Sequence, residues 1–556
     1  MNSDASEWDC SYDLVIVGSG AASVCASLVA LAAGRKPIIV EKADYAGGST
    51  GISGGVLWVP NNPLAKRAGV DDSYEKSRAY LDACVGAYSL GSTPERRHAF
   101  LTQGPEMVSF LEREGIKFIH LEGWSDYHEN EMPHGMARGR SLSVEVFDMR
   151  RLGAFAKRMR RPEGRPPLRG TEPSEVMLFG RTWRSRFAML RVGWRMLLNR
   201  LGRDLVAMGE ALQGRLFEQA NKRGVPIWTK ARVEEIIVRD GRAVGVQVNH
   251  DGKRVRIAAT DGILVNAGGF SHNLAMRQAY QQAPITTDWT VSNPGDTGEI
   301  IAHLKDLGAD LAQMDMSWWL PVSIMPDGTP MIAMAEVSKP HCIMVDASGS
   351  RFVSESTSYG PIGIAMYDRN KTARSVPSWA ILDRRHRERY IWAGAYPGAM
   401  PKAWLDSGHF KQADSIADLA RQCGIDPDGL EATVRRFNDF AEKGADDDFG
   451  RGRSAFHHFL GDPSNKPNPN LGKIEQGPFY AVEIFPGDVG TCGGVVTDEH
   501  ARVLRPDGSV IAGLYAAGNS TASVMGYSYP AAGASIGPAM IFGYIAALHA
   551  TRQPDI

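Results

Sequence analysis

The thirty residues from Tyr12 to Glu41 constrain this chain more than any other stretch. Tyr12 to Val17 is a short β-branched apolar run. The turn Gly18-Ser19-Gly20-Ala21-Ala22-Ser23 follows, and Ala21 to Ala33 is rich in alanine and leucine. Gly34 stands where a helix C-cap glycine belongs, and Pro37 to Val40 is a second apolar run closed by Glu41. Strand, glycine turn, helix, strand is the βαβ unit of a parallel sheet, so the fold class expected is α/β.

The turn reads G-x-G-x-x-S, one residue off the dinucleotide fingerprint. Gly18 makes the tight turn and Gly20 lets the backbone approach a pyrophosphate at the helix N-terminus, where amide dipoles favour anions. Ser23 replaces the third glycine with the next smallest polar choice. Glu41 lies 23 residues after Gly18, at the end of the second strand, where a carboxylate accepts bonds from ribose hydroxyls. The competing reading is a tight βα turn with no ligand. Farther on, Gly47-Gly48-Ser49-Thr50-Gly51-Ile52-Ser53-Gly54-Gly55 is bare, donor-rich backbone, and small-residue loops recur at Ala267-Gly268-Gly269 and Gly518-Asn519. A ligand touched from three distant segments is long, which favours FAD over NAD.

Composition sets outer limits. The chain has 556 residues, too many for one hydrophobic core, so two domains are expected and a third has room. A formal net charge of -1 gives no pull toward nucleic acid. Cys10, Cys25, Cys84, Cys342, Cys423 and Cys492 are scattered without a C-x-x-C pair, which argues against a metal site or a disulfide framework and suits a reducing cytoplasm. The acidic N-terminus is wrong for a secretory signal. Two long uncharged stretches, Leu14 to Gly34 and Gly508 to Leu548, are too interrupted by glycine and proline to cross a membrane and are read as backbone packed around a ligand. His341, His457 and His458 lack metal-ligand spacing and are read as structural. Trp318 and Trp319 suit either core packing or an apolar pocket wall.

Alternation over Ala231 to Val248, with Asp240-Gly241 between, predicts a hairpin, and Ile263 to Asn266 a buried strand. Helices are expected at Ser415 to Gln422 and Gly429 to Glu442, and a loop over Arg160 to Gly170.

The segment Gly47 to Gly55 and the ending Gly513-Leu514-Tyr515-Ala516-Ala517-Gly518-Asn519 resemble the fumarate reductase/succinate dehydrogenase flavoprotein superfamily. Tyr529-Pro530-Ala531-Ala532-Gly533-Ala534-Ser535-Ile536-Gly537-Pro538-Ala539-Met540 is similar to the signature of its 3-ketosteroid Δ1-dehydrogenases. So are Gly487 to Thr491, Asp448 to Gly452 and Pro467 to Gly472. The resemblance covers nearly the whole chain apart from an insertion near 155 to 210. It implies a Rossmann-like FAD-binding domain, roughly 1–318 and 488–556, with an α+β catalytic domain, roughly 319–487, inserted between. Tyr529 and the Gly533 amide would hold a 3-keto oxygen, Tyr359 would take the proton from carbon 2, and Tyr127 would support Tyr359. The family's Pro-Gly-Pro-Gly reads Pro530-Ala531-Ala532-Gly533 here, so extra methyls are expected to narrow the pocket.

The chemistry is coherent in itself. A hydrogen beside a ketone becomes acidic only when the developing oxyanion is stabilised, and one aimed donor is worth roughly 2.7–4 kcal/mol. A tyrosine, with an ordinary pKa of about 10, needs a neighbour to serve as base. The expected cofactor contacts are Gly18, Gly20, Ala21, Ala22, Glu41, Lys42, Gly48, Ser49, Thr50, Ser53, Gly54, Gly55, Val233, Ala267, Gly268, Gly269, Gly518, Asn519, Ser535 and Ile536. The FAD would be non-covalent, because covalent members of the superfamily present a histidine where Gly48-Ser49-Thr50 stands here. With no second dinucleotide fingerprint, a quinone or another acceptor is expected to reoxidise it. A dicarboxylate substrate is disfavoured, because the superfamily's histidine and arginine are missing at Gly490 to Gly494 and Tyr529-Pro530. A Δ4-(5α)-dehydrogenase and a non-catalytic FAD-binding module are the remaining alternatives.

From Arg181 to Arg203 there are seven arginines and no acidic residue, with apolar residues at helical spacing at 187, 190, 194, 197, 198 and 201. That profile suits either an interfacial helix on a membrane or a helix docked on the protein with its arginines in water. Peripheral contact with the inner face of the cell membrane, through residues 181–203, is the localisation expected if the first holds.

Overall fold

The protein is described by a computed structural model over residues 7–162 and 164–552, so the first six residues of the acidic N-terminus, and Glu163 within the expected 160–170 loop, lie outside the described residues. The βαβ unit forms as expected: strand β1 spans Cys10–Val17, helix α1 Ala21–Ala32 and strand β2 Pro37–Val40. Gly34 turns the chain at φ +76°. The expected hairpin forms between Ala231–Arg239 and Arg242–His250, and the buried strand is the end of the longer strand Lys253–Val265. Helices Ile416–Cys423 and Pro427–Lys443 are capped by Ser415 and Asp426.

An eight-stranded sheet runs, from one edge, through Arg502–Leu504, Val510–Ala516, Arg242–His250, Lys253–Val265, β1, β2 and Ile227–Trp228, with Ala231–Arg239 paired to Arg242–His250. Its register decides where a ligand can sit. Val17 pairs in parallel with both Val40 and Val265, and Val265 with Ala516. Four strands from three distant parts of the chain therefore end at one level. The next residues of each, Gly18, Glu41, Asn266-Ala267-Gly268 and Ala517-Gly518-Asn519, form one crevice at the carboxyl edge of the sheet.

A second sheet of six strands is formed by Pro330–Ile332, Ser317–Ile324, Phe479–Thr491, Ser378–Leu382 and Cys342–Val345 in that order, with Phe410–Ala413 also on Phe479–Thr491. The domain limits expected at 318/319 and 487/488 therefore fall inside strands Ser317–Ile324 and Phe479–Thr491. No sequence punctuation marks the crossing, because the chain passes from one sheet to the other while extended. A buried ion pair joins the two regions: Arg277 donates to Asp488 at 2.7 Å, with both side chains fully buried.

The two uncharged stretches become β1 with α1, and strand Val510–Ala516 with helix α3, Ile536–Arg552. Among the described residues no helix is long and apolar enough to cross a membrane. Helix α3 packs on α1 so closely that a Cβ on Gly543 would lie 2.8 Å from the Ala22 carbonyl oxygen. The insertion forms helix α2, Trp183–Arg200, capped by Thr182.

Candidate active site

The crevice opens into a single cavity of about 760 Å³ that runs from Glu41 past Gly48–Gly55 to Tyr127, Tyr359 and Tyr529. Its volume lies within the range of roughly 300–1,000 Å³ usual for ligand pockets. All the expected cofactor contacts line it except Gly269. A Cβ at Gly269 would meet Thr491 Oγ1 at 2.0 Å, so this glycine exists to pack on the second sheet and not to face a ligand.

The residues present fit an extended dinucleotide. Gly18 has φ +94° and a Cβ there would lie 2.2 Å from the Asn266 carbonyl oxygen, so the turn accepts only glycine. Glu41 is held at the end of β2 by Ser19 Oγ at 2.6 Å and by the Ala43 amide at 2.9 Å. The Ser19 hydroxyl in turn accepts from the Gly47 amide at 2.9 Å, tying the first glycine loop to the second. Lys42 donates to Thr297 at 2.7 Å and is also paired with Glu299.

Sequence reasoning missed Asp296, which is fully buried on the cavity wall and accepts from Ser49 Oγ at 3.0 Å. Burial pushes its carboxyl up to about 7, against the opposing pull of Ser49 and Lys42. In the sequence it closes Asn293-Pro294-Gly295-Asp296, which reads as an ordinary turn. Asn266 and Lys339 were missed as well; Lys339 donates to the carbonyls of Leu460 and Gly461 at 2.6 and 2.9 Å, and burial lowers its pKa to about 8.

At the other end of the cavity three tyrosines meet. The rings of Tyr359 and Tyr529 lie 5.0 Å apart, those of Tyr127 and Tyr529 6.0 Å and those of Tyr127 and Tyr359 6.1 Å. They come from three separate parts of the chain, and the loop after Tyr529 ties it to the segment that carries Tyr127. The Pro530 carbonyl accepts from Tyr80 Oη at 2.7 Å and from the Tyr127 amide at 2.8 Å, and the Ala532 carbonyl from Ser141 Oγ at 2.8 Å. The Gly533 carbonyl accepts from the Trp58 amide at 3.1 Å. Gly533 has φ +93°, and a Cβ there would sit 2.6 Å from Trp58 N, so no other residue fits. Of the two alanines in this loop only Ala532 reaches the cavity; Ala531 is bridged to Asp126. Asp126 is buried, accepts from Trp58 Nε1 and pairs with Arg140 at 2.7 Å.

Burial raises the pKa of all three tyrosines, and Tyr529 beside Tyr359 pushes the latter further. For Tyr529 the Ser535 hydroxyl and the amides of Ser535 and Gly533 pull the other way. Tyr529 and Gly533 both line the cavity. The rings of Tyr127 and Tyr359 are near parallel, and no hydrogen bond joins the two hydroxyls among the described residues. Trp318 stands edge-on to Tyr529 at 5.1 Å and donates to Asn519 at 3.3 Å, while Trp319 packs on Tyr367. Both tryptophans are buried supports, and neither lines the cavity. His341 and His458 bond to the backbone carbonyls of Lys473 and Gly452. His457 Nδ1 accepts from the Gly452 amide. The apolar part of the wall includes Trp124, Met177, Ile332, Phe456, Phe459 and Leu460.

A family model described as "FAD binding domain" matches residues 13–536. A 3-oxosteroid 1-dehydrogenase of Mycobacterium tuberculosis is 44% identical over 565 residues, covering 98% of each chain. Another, of Mycolicibacterium smegmatis, is 42% identical over 554 residues, covering 97% of this chain and 96% of its own. The crystal structure of a 3-ketosteroid Δ1-dehydrogenase from Sterolibacterium denitrificans, in complex with 1,4-androstadiene-3,17-dione, superimposes with a TM-score of 0.91 at 33% identity, covering 97% of this chain and 99% of that one. With its crevice, its glycine loops and its full-length relatives in agreement, the chain belongs to the FAD-binding flavoprotein family that contains the 3-oxosteroid 1-dehydrogenases.

Proposed function

We propose that this protein is an FAD-dependent 3-ketosteroid dehydrogenase that introduces a double bond between carbons 1 and 2 of the A ring. The observation that carries the reading is the convergence of Tyr529, the Gly533 amide and Tyr359 at the apolar end of the cavity that begins at Glu41. Full-length relatives at 42–44% identity bearing the 3-oxosteroid 1-dehydrogenase name favour this regiochemistry over Δ4-(5α).

Bound FAD supplies the two-electron acceptor for the hydride of carbon 1. The protein's own part is acid–base chemistry. Burial keeps Tyr529 protonated, the state needed to donate to a ketone. Its hydroxyl and the Gly533 amide form the donor pair on the 3-keto oxygen, so negative charge developing there is stabilised and the carbon 2 hydrogen is acidified. Tyr359, packed on Tyr529, takes that proton, and Tyr127 fixes the ring of Tyr359 by stacking. The aromatic and aliphatic wall excludes water and suits a flat apolar skeleton. Tyr529→Phe should lower turnover by about a hundredfold or more, the usual effect of losing one such donor, with FAD still bound. Near-wild-type rates in this variant and in Tyr359→Phe together would sink the assignment. Non-covalent FAD is the reading proposed, supported by the lack of a histidine or cysteine on the cavity wall among the described residues. Acid precipitation should leave the yellow colour in solution. With a single dinucleotide fingerprint in the chain, a quinone is the acceptor proposed, and rapid turnover with NAD alone would overturn that.

A second observation favours peripheral membrane attachment. Helix α2 meets the protein through Ser185, Ala188 and Val192, while Trp183, Phe187, Leu190, Trp194, Met196, Leu197 and Leu201 are 43% to 73% exposed. Arg195 is turned inward onto Glu172, and the exposed Arg191 pairs with the same carboxylate. The apolar side of the helix thus faces away from the protein, which supports the interfacial reading over a helix docked by its apolar face. Arg184 and Arg200 have no carboxylate partner among the described residues and flank the apolar face, as anionic headgroups require. The short helix Pro173–Val176, which packs on α2, contributes Pro173 and Ser174 to the cavity wall, so a lipid-dissolved substrate would have a short path to the site. The protein should sediment with anionic liposomes at low salt, and a variant with Trp183, Leu190 and Trp194 changed to serine should not. Concentration-dependent dimerisation through this face, with no liposome binding, would replace the lipid with a second copy of the chain.

A further inference from the structure

Arg96, on the helix Pro94–Arg113, is 1% exposed, and among the described residues no carboxylate forms an ion pair with it. Its Nη1 donates to the carbonyls of Gly91 and of Ala522, the latter at 2.9 Å, and its Nε has no partner. The guanidinium lies 4.6 Å from the ring centre of Phe542 on α3. The carboxylate acting on it from a distance, Asp498, is engaged by Arg502 at 2.6 Å. Burial accordingly pulls its pKa down to about 10, which still leaves it charged at neutral pH. A guanidinium tying two loops together by backbone carbonyls would be served as well by neutral donors. A buried charge without a counter-charge is costly to keep.

The position gives the charge a target. Arg96 lines a small compartment of about 20 Å³, large enough for one water. Four of that compartment's other lining residues, Gly518, Asn519, Ser535 and Ala539, also line the large cavity. One layer of residues thus separates the guanidinium from the cofactor space at the N-terminus of α3. That 17-residue helix directs its own partial positive charge to the same place. We propose that Arg96 is a fixed positive charge that, with the α3 N-terminus, stabilises the negative charge of the reduced flavin and raises its reduction potential. It is a tuning residue acting through space and touches neither substrate nor cofactor. The inference rests on FAD occupying the cavity and is independent of which steroid is oxidised.

The test is a reductive titration of the holoprotein against reference dyes, without steroid. Arg96→Gln keeps donors for the two carbonyls and removes the charge; Arg96→Lys keeps the charge. Removing it should make two-electron reduction at least tenfold less favourable, a potential lower by about 30 mV, while Arg96→Lys stays within threefold of wild type. A Gln variant that holds FAD and titrates within twofold of wild type would overturn the proposal. Should Arg96→Gln fail to hold FAD, the wild-type protein decides. A reduced flavin kept anionic takes up one proton per two electrons, so the midpoint falls by about 30 mV per pH unit around neutrality. A slope twice as steep means the reduced form is neutral, and no charge is being stabilised. Failure of the steroid assignment would show instead as normal potentials with no bleaching by a 3-ketosteroid.

Discussion

At the scale of single residues the site is governed by burial. Tyr359 is pushed up by desolvation and then by its neighbour Tyr529, and no hydrogen-bond donor to its hydroxyl offsets this among the described residues. A base must be deprotonated to act, and its active fraction rises with pH until its pKa is reached. Turnover under kcat/KM conditions should therefore keep rising through neutral and alkaline pH without levelling near neutrality, and Tyr359→Phe should flatten the profile. A plateau beginning near pH 7 would point to another base. Asp296 gives the opposite dependence for cofactor binding. Its carboxyl, raised to about 7 by burial, lines the cavity in which the negatively charged FAD would lie. The anion binds better to the protonated form, so FAD affinity of the apoprotein should fall as pH rises through about 7. Asp296→Asn should abolish that slope, as followed by quenching of FAD fluorescence; an unchanged slope would assign it elsewhere.

At the scale of elements, helices α1 and α3 act as a pair. The N-terminus of α1 is the anion end of the crevice, and α3 begins beside the tyrosines. Gly543 lets them touch backbone to backbone. A valine there would force the helices apart at a cost of about 1–3 kcal/mol. The expected outcome for Gly543→Val is a lower thermal midpoint together with weaker FAD retention, since displacing α1 misplaces the Gly20 amide. Loss of stability with unaltered FAD affinity would show that the pair is packing alone. The same scale explains α2. Its periodicity was readable as amphipathic, but only the location of Glu172, from outside the helix, shows which side faces the protein.

At the scale of the whole molecule, the proposed reaction needs the loop that carries Tyr359, after strand Cys342–Val345 of the second sheet, held in fixed relation to the loop that carries Tyr529, after strand Val510–Ala516 of the first. The Arg277–Asp488 pair sits at that joint, and Thr290 donates to the other Asp488 oxygen at 2.7 Å. Asp488→Asn should cost about 3–5 kcal/mol by stranding a buried guanidinium, seen as a lower unfolding midpoint, and adding Arg277→Met should restore part of it. A harmless Asp488→Asn would remove the joint from the account. The βαβ unit, the glycine turn, the FAD-length cofactor site and the motif tyrosines were legible in the sequence, because each depends on local spacing or on a contiguous signature. The level at which four strands end, the burial of Asp296, the packing role of Gly269, the strands that run across both domain limits and the outward apolar face of α2 were not. These depend on register and on contacts between residues up to hundreds of positions apart, and the tertiary structure alone sets which groups lose their water and which keep it.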